Sequence, residues 1–427
     1  MPRILLAAAG SYGDIAPYTG LGARLLADGH HVALATHDSY APLVRAAGLE
    51  FRRLPADPRT RHPDPTAPAR PTAPARPTGP AGRRDLLRRA AAFVKELGGG
   101  LADAAQQGPG TDLLLLSATT APLGRNLAEA MGIPALDLPL VPGAPTGDFA
   151  PVVSGGRSLG RWGNRAAGRL SLRVIDRLYA DATRELRARL GLPPATPRTV
   201  RRRAEAAGRP VLHGVSEVLV PRPADWPSGL EVVGNWWPWH APDTQLPPAL
   251  HDFLAAGPPP VFLGFGSMAG GEGERLGDLA VRALRRAKVR GVLQSGWAGL
   301  TAAPTDDVLT IDAVPHALLF PHMAAVVHHC GAGTAAAGLR AGIPTVPVPV
   351  TADQPFWAAR LASLGAATTP IPFKDLSAED AVARLADALG RAATDPALRE
   401  RAGHAARRLA TEDGAGAVAA TVARLTT

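Results

Sequence analysis

Two groups of residues carry side chains whose spacing could do chemistry. His328-His329-Cys330-Gly331-Ala332-Gly333-Thr334 follows a short apolar run, 324–327, and precedes 335–341, which has helical composition. Strand, glycine turn and helix is the geometry that aims free backbone N–H groups at an anion. Gly331 and Gly333 let the backbone come close, Thr334 adds a hydroxyl, and His329 falls at the carboxyl end of the strand, where open α/β sheets bind ligands. This predicts a phosphate cradle. An ordinary tight turn with a core histidine accounts for the glycines equally well, because glycine punctuates many turns. One strand later, Asp353 and Gln354 set a carboxylate beside a carboxamide, which suits paired sugar hydroxyls. Capping of a helix by Thr351 or Asp353, with Pro355 in its first turn, is compatible with that role. The second group is Gly10-Ser11-Tyr12-Gly13-Asp14, after the first strand. Asp14 reads either as a general base, its pKa raised by burial beside Ile15, Pro17 and Tyr18, or as the N-cap of the first helix.

The elements that must position these groups form two α/β series. In the first, strands are expected at 3–9, 31–36 and 49–54, with helices at 15–28 and 39–47 between them. That order implies a parallel sheet with right-handed crossovers. The near repeat TAPARPTAPARPTGPA interrupts the series within 55–83, which reads as a mobile, extended loop. Helix returns at 84–107, followed by strand 113–116, helix 122–131 and strand 133–138. From 157 to 190 the pattern is helical. Arg157, Arg161, Arg165, Arg169, Arg173 and Arg177 recur every fourth residue, with Leu159, Trp162, Leu170, Val174 and Leu178 as an apolar face between them. A solvated arginine ridge is the plain reading, and contact with an anionic membrane or an acidic acceptor the sharper one. The second series places strands at 260–265, 289–294, 308–311 and 345–348 and helices at 274–286, 354–364, 378–393 and 396–410. The expected division is an amino-terminal domain at 1–220, a Pro- and Trp-rich linker at 221–245, a second domain at 246–410 and a last helix at 411–427 that packs back on the first domain.

Composition limits the remaining options. The chain has 427 residues and a net charge of +9. Residues 1–220 hold 29 Lys and Arg against 18 Asp and Glu, a net of +11, whereas residues 221–427 hold 17 against 19, a net of −2. A basic half attracts anionic partners, but no nucleic-acid motif is present. The single cysteine excludes an internal disulfide and any multi-cysteine metal site, and suits a cytoplasmic location. No apolar run is long enough to insert stably in a membrane. Gly264-Phe265-Gly266 lacks the GxGxxG spacing and the downstream acidic residue of a dehydrogenase turn.

Three segments together carry a family resemblance: AAAGSYGDIAPYTGLGARLLADGHHVALATH, VPRPADWP, and VPHALLFPHMAAVVHHCGAGTAAAGLRAGIPTVPVPVTADQPFWAARLASLGAA. The chain resembles the bacterial nucleotide-sugar glycosyltransferases of the GT-B fold, nearest the branch that includes sterol glucosyltransferases and glycopeptide-antibiotic glycosyltransferases. The resemblance implies two Rossmann-like, doubly wound parallel-sheet domains facing a cleft. The first would bind a hydrophobic or polycyclic small-molecule acceptor, and the second an NDP-sugar carrying UDP or TDP. Transfer would be inverting, with no cofactor and no protein-bound metal. By the same resemblance His329 contacts the donor phosphate, with Gly331, Ala332, Gly333 and Thr334 around it. Ser267 approaches the phosphates, Val314 and His316 hold the base, and Asp353 and Gln354 hold the sugar. Asp14 matches the general base of the antibiotic branch. Ser11, Tyr12 and Trp162 are the candidate acceptor contacts. Three departures bear on this. Tyr12 stands where arginine is common, Cys330 where glycine is frequent, and Ser117 near where histidine-based relatives place an orienting aspartate. The alternatives are a sterol or lipid glucosyltransferase at a membrane surface and a non-catalytic sugar-nucleotide-binding paralogue.

Overall fold

The structure, a computed structural model, describes residues 1–55, 79–108, 110–266, 272–296 and 299–426. Strand β1 (Arg3–Ala7) is an apolar run with almost every side chain buried, and α1 (Tyr12–Ala27) follows it across a glycine turn. Next come β2 (His31–His37), α2 (Ala41–Ala46), β3 (Glu50–Leu54), α3 (Gly79–Gln106), β4 (Leu113–Leu116), α4 (Ala121–Met131) and β5 (Ala135–Asp137). Helices α5 (Gly160–Leu178), α6 (Ala180–Arg189) and α7 (Pro197–Ala206) precede β6 (Val211–His213) and β7 (Leu230–Val232). All seven strands pair in parallel in the order β3-β2-β1-β4-β5-β6-β7.

The second half runs α8 (Pro248–Ala255), β8 (Val261–Gly264), α9 (Gly273–Ala287), β9 (Gly291–Gln294), β10 (Val308–Ile311), α10 (His316–Leu319), β11 (Ala325–His328), α11 (Ala332–Arg340), β12 (Thr345–Pro347) and α12 (Gln354–Ser363). Helices α13 (Ala381–Thr394), α14 (Pro396–Leu409) and α15 (Gly414–Thr426) close the chain. Its sheet is also parallel, in the order β10-β9-β8-β11-β12. In both sheets the order reverses beside the first strand of the series: between β1 and β4, and between β8 and β11. Each reversal opens a crevice at the strand ends, the place where doubly wound sheets bind ligands.

Strand alternation explains the layers. In the first half Leu5 and Ala7 face Phe93, Leu97 and Leu101 of α3, while Ile4 and Leu6 face Ile15, Leu21 and Leu25 of α1. Val418 and Val422 of α15 join that second face, so the last helix belongs to the first half's core. In the second half Val261 and Leu263 face α9 and α13, and Phe262 faces Leu319 and Phe320. A further apolar cluster joins the halves: Val215, Val218, Leu219 and Trp226 meet Leu339, Phe356, Trp357 and Leu361.

Several expectations need correction. The stretch 221–245 is not only a linker, because Leu230–Val232 pairs with β6 as the seventh strand. The helical run 157–190 is broken at Tyr179, the C-cap of α5. Helix α3 begins at Gly79, inside the stretch read as loop; residues 56–78 of that stretch lie outside the described residues. Leu178 packs inward against the first half's core, but the other apolar residues between the arginines of α5 do not. Trp162, Leu170 and Val174 are exposed, and the buried side of the helix is Asn164 and Gly168.

Candidate active site

On the first half the site is the turn after β1. Gly10 sits at φ +146°, and a Cβ there would meet Asp14 Oδ2 at 2.6 Å, so glycine is required for the turn to fold against the carboxylate. Ser11 is the N-cap of α1. Asp14, three residues in, reaches back: its Oδ2 accepts the Ser11 N–H at 2.8 Å and the Ser11 hydroxyl at 2.8 Å. It is therefore the third helical residue of a capping box and not the N-cap. The carboxylate is exposed at the cleft rather than buried among Ile15, Pro17 and Tyr18. Two donors fix one oxygen, and a negative charge in the first turn is favoured by the helix dipole.

Sequence reading missed His37, the last residue of β2. Its buried ring accepts the Gly10 N–H at Nε2 (3.1 Å), and its Nδ1 donates to the Pro55 carbonyl (2.5 Å). It thereby holds the turn from the neighbouring strand end. The only signal in the sequence is a histidine at the end of a strand adjacent to β1. Tyr12 is exposed, its ring 6.5 Å from Tyr40. Ser117, at the end of β4, is buried and shares a 3.2 Å hydrogen bond with Thr120.

On the second half the turn after β11 leads directly into the amino end of α11. His328 closes the strand and faces inward, fully buried. Its Nδ1 accepts the Cys330 N–H at 3.0 Å. Cys330 takes the left-handed conformation, φ +63°, which swings the chain so that Gly331 becomes the N-cap of α11. The N–H groups of Ala332, Gly333 and Thr334 then point out of the helix end without intrahelical partners. The His329 ring lies between two glycines: a Cβ on Gly266 would sit 3.0 Å from its Cε1, and one on Gly331 2.9 Å from its Nε2. Its buried Nδ1 has no partner. Burial pushes the His329 imidazole down to about 4, so the ring is neutral at pH 7.

His316 stacks on Phe320 with centroids 4.3 Å apart and meets the edge of Phe262. Burial, then the nearby His329, lowers its pKa to about 4. Val314 buries its side chain in the cluster with Phe262 and Leu319, so any contact from it to a base runs through its main chain. Ser267 lies outside the described residues.

Asp353 and Gln354 stand at the start of α12. The Gln354 carboxamide oxygen accepts the N–H groups of Val350 (2.8 Å) and Thr351 (3.0 Å), so its donor capacity is left to the NH2 group. Asp353 occupies the N-cap position without capping the helix; its Oδ2 instead accepts the Trp357 indole N–H at 2.7 Å. Burial raises the Asp353 pKa against the lowering effect of the Trp357 hydrogen bond, and the Asp14 carboxylate of the other half adds the smallest contribution, also upward. Trp162, by contrast, is 86% exposed on α5, and no described contact links it to the Asp14 turn. Among the described residues no group of three His, Cys, Asp or Glu side chains could hold a metal ion.

Residues 4–84 match the glycosyltransferase family 28 N-terminal domain, and residues 293–425 the erythromycin biosynthesis protein CIII-like C-terminal domain. The chain is 36% identical over 420 residues to O-mycaminosyltylonolide 6-deoxyallosyltransferase of Streptomyces fradiae, covering 96% of this chain and 94% of that one. The chain belongs to this glycosyltransferase family. A sterol 3-beta-glucosyltransferase of Arabidopsis thaliana is 34% identical over 437 residues, spanning 98% of this glycosyltransferase and 65% of the plant protein. Two solved structures share the two-sheet GT-B architecture. They are the glycosyltransferase of kitacinnamycin (TM-score 0.70, 20% identity, 99% of each chain) and VinC in complex with dTDP (TM-score 0.68, 20% identity, 99% of each chain). The glycosyltransferase has no helix among its described residues long and apolar enough to cross a membrane.

Proposed function

We propose that this glycosyltransferase moves a sugar from a nucleoside diphosphate sugar to a hydroxyl of a hydrophobic or polycyclic small molecule, with inversion and without a bound metal. The observation that carries the reading is the placement of Asp14 and the His329 turn at the two sheet reversals, with the helices that follow them, α1 and α11, in contact. Asp14 takes the acceptor proton as the acceptor oxygen bonds to the anomeric carbon. The bond from that carbon to the diphosphate oxygen breaks on the opposite side, so configuration inverts. The reacting carbon has oxocarbenium character, as in glycoside hydrolysis. The departing diphosphate carries the charge, and the N–H groups of Ala332, Gly333 and Thr334 with the α11 dipole receive it. His329 is neutral at pH 7 and so acts first as a hydrogen-bond donor, becoming a cation only where the bound phosphate raises its pKa. Asp353 and the Gln354 NH2 hold sugar hydroxyls, and His316 with the Val314 main chain holds the base. Ser11 and Tyr12 line the acceptor side.

Thymidine diphosphate as the donor nucleotide draws support from VinC and from the spinosyn rhamnosyltransferase SpnG, both solved with it. Natural-product biosynthesis draws support from the Streptomyces fradiae relative, and a sterol acceptor from the plant relative. A thermal-shift screen with UDP, TDP and GDP sugars tests the donor. A ligand at a hundredfold excess over its Kd stabilises the fold by about 2.7 kcal/mol. The absence of a shift with every nucleotide sugar would sink the reading. Product formation from TDP-deoxyhexose with macrolide aglycones, or from UDP-glucose with sterols, then separates the two acceptor classes.

A further inference from the structure

Helix α5 packs closest through the side that carries Asn164 and Gly168. Asn164 donates to the Gly147 carbonyl (3.0 Å) and accepts the Leu159 N–H (2.8 Å), and Gly168 packs so closely on Pro145 that a Cβ would lie 2.9 Å from it. At about 100° per residue the opposite side carries Trp162, Arg169, Leu170, Arg173, Val174 and Arg177. Trp162, Leu170 and Val174 are 86%, 58% and 56% exposed. The arginines nearer the amino end are engaged, Arg161 with Asp148 at 2.9 Å and Arg165 with Asp225 at 2.7 Å. Arg169, Arg173 and Arg177 have no carboxylate within ion-pair distance among the described residues. Asp176, the only acid of the helix, is held by Arg201 at 2.9 Å. Three unmatched cations therefore alternate with three exposed apolar side chains on one convex face.

We infer that this face of α5 docks on an anionic lipid surface. The argument is charge complementarity combined with shape. A single convex helix face offers no groove for a partner helix, but it lies flat on a bilayer. The apolar side chains enter the headgroup boundary while the arginine stems lie along it and carry their guanidinium groups to lipid phosphates. The net charge of +11 on residues 1–220 adds a longer-range attraction of the same sign. Helix α5 is also tied to the cleft. Arg161 holds Asp148, and the next residue, Phe149, packs edge-on against Phe356 of α12, three residues after Asp353. Docking would therefore present the cleft mouth to a membrane-dissolved acceptor. That consequence rests on the proposed function; the docking itself does not.

The test is co-sedimentation of the full chain with phosphatidylcholine vesicles, with and without phosphatidylglycerol. Folding is checked for each variant by its thermal unfolding curve. Binding is expected only with phosphatidylglycerol present, and to weaken with salt. Joint R169Q, R173Q and R177Q substitution should lower partitioning about a hundredfold, from several-fold per basic residue near the surface. Joint L170S and V174S substitution should also lower it. Fluorescence of the wild type should be quenched by brominated lipid, and W162F should lose that quenching. Equal binding to both vesicle types, no binding to either, or full binding by either multiple variant overturns the inference. So does quenching that survives in W162F. Donor-induced thermal shifts are read separately, so failure here leaves the glycosyltransferase reading intact, and the reverse holds as well.

Discussion

At the scale of single residues, Asp14 carries the most chemistry on the least support. Two donors from Ser11 fix one of its oxygens, and the other remains to receive a proton. Asp14→Asn keeps the size and most of the capping geometry but removes the base. We expect kcat to fall by about 10² to 10⁴, while the donor-induced thermal shift persists. Transfer at the wild-type rate in Asp14→Asn would remove Asp14 from the mechanism. Cys330 gives the opposite kind of prediction. Its thiol is buried under the cradle, and burial pushes its pKa up, so the unreactive protonated form dominates. A thiol reagent should find no reactive cysteine in the folded protein and one after denaturation, because the chain has one cysteine. Rapid labelling of the native protein would contradict a purely structural Cys330.

At the scale of elements, the site depends on how closely neighbouring segments approach. Helix α1 delivers Asp14, and it is held from outside by the irregular segment after β7. The Trp239 N–H donates to the Thr19 hydroxyl at 3.0 Å, and the Trp237 carbonyl passes so near Gly20 that a Cβ there would lie 1.9 Å from its oxygen. Gly20→Ala must push the two apart. It should destabilise the fold by about 1–3 kcal/mol, the usual cost of overpacking, read as a lower unfolding midpoint. Gly13→Ala is the control, since its Cβ would meet only the Ser11 hydroxyl at 4.0 Å. Its midpoint should stay near wild type. Equal midpoints for the two variants would show that the α1 contact contributes nothing.

At the scale of the whole molecule, the buried histidines make the fold acid-sensitive. Burial lowers His213, His316 and His329 to about 4, and it lowers His328 as well. In the unfolded chain each takes a proton near pH 6.5. Between those values the unfolded state binds more protons than the folded one. Stability is therefore fully present above about pH 6.5 and falls as the pH drops toward 4. The loss is of the order of 2 kcal/mol per histidine between pH 6.5 and 5, at 1.4 kcal/mol per pH unit. Denaturant midpoints at pH 7 and pH 5 measure it, and equal midpoints would mean that these rings protonate in the folded state. The same scale explains why α15 matters. It follows the second half in the chain but packs its valines into the first half's core, so both ends of the chain share one hydrophobic layer.

The sequence by itself determined the alternation of strands and helices, the two-sheet class, and the glycine turn at 331–334. These follow from local periodicity and turn chemistry, which neighbouring residues settle among themselves. It also singled out Asp14, Asp353 and Gln354 as the polar groups at strand ends. Which of their atoms are already occupied is also settled locally, by partners within four residues, but hydrophobic periodicity does not reveal it. Asp14 answers to Ser11 instead of capping alone, Asp353 to Trp357, and the Gln354 oxygen to two backbone N–H groups. His37 was passed over and His328 was given no role of its own, because the partners by which they hold the two turns are backbone groups that any sequence possesses. Strand β7 was hidden in a Pro- and Trp-rich stretch too short to show a period, and pairing with β6 made it a strand. The arginine helix was legible as amphipathic, but the side it would bury was not. Asn164 and Gly168 fit against the 145–147 loop, and that contact, distant in its effect from any local pattern, turned the apolar residues outward.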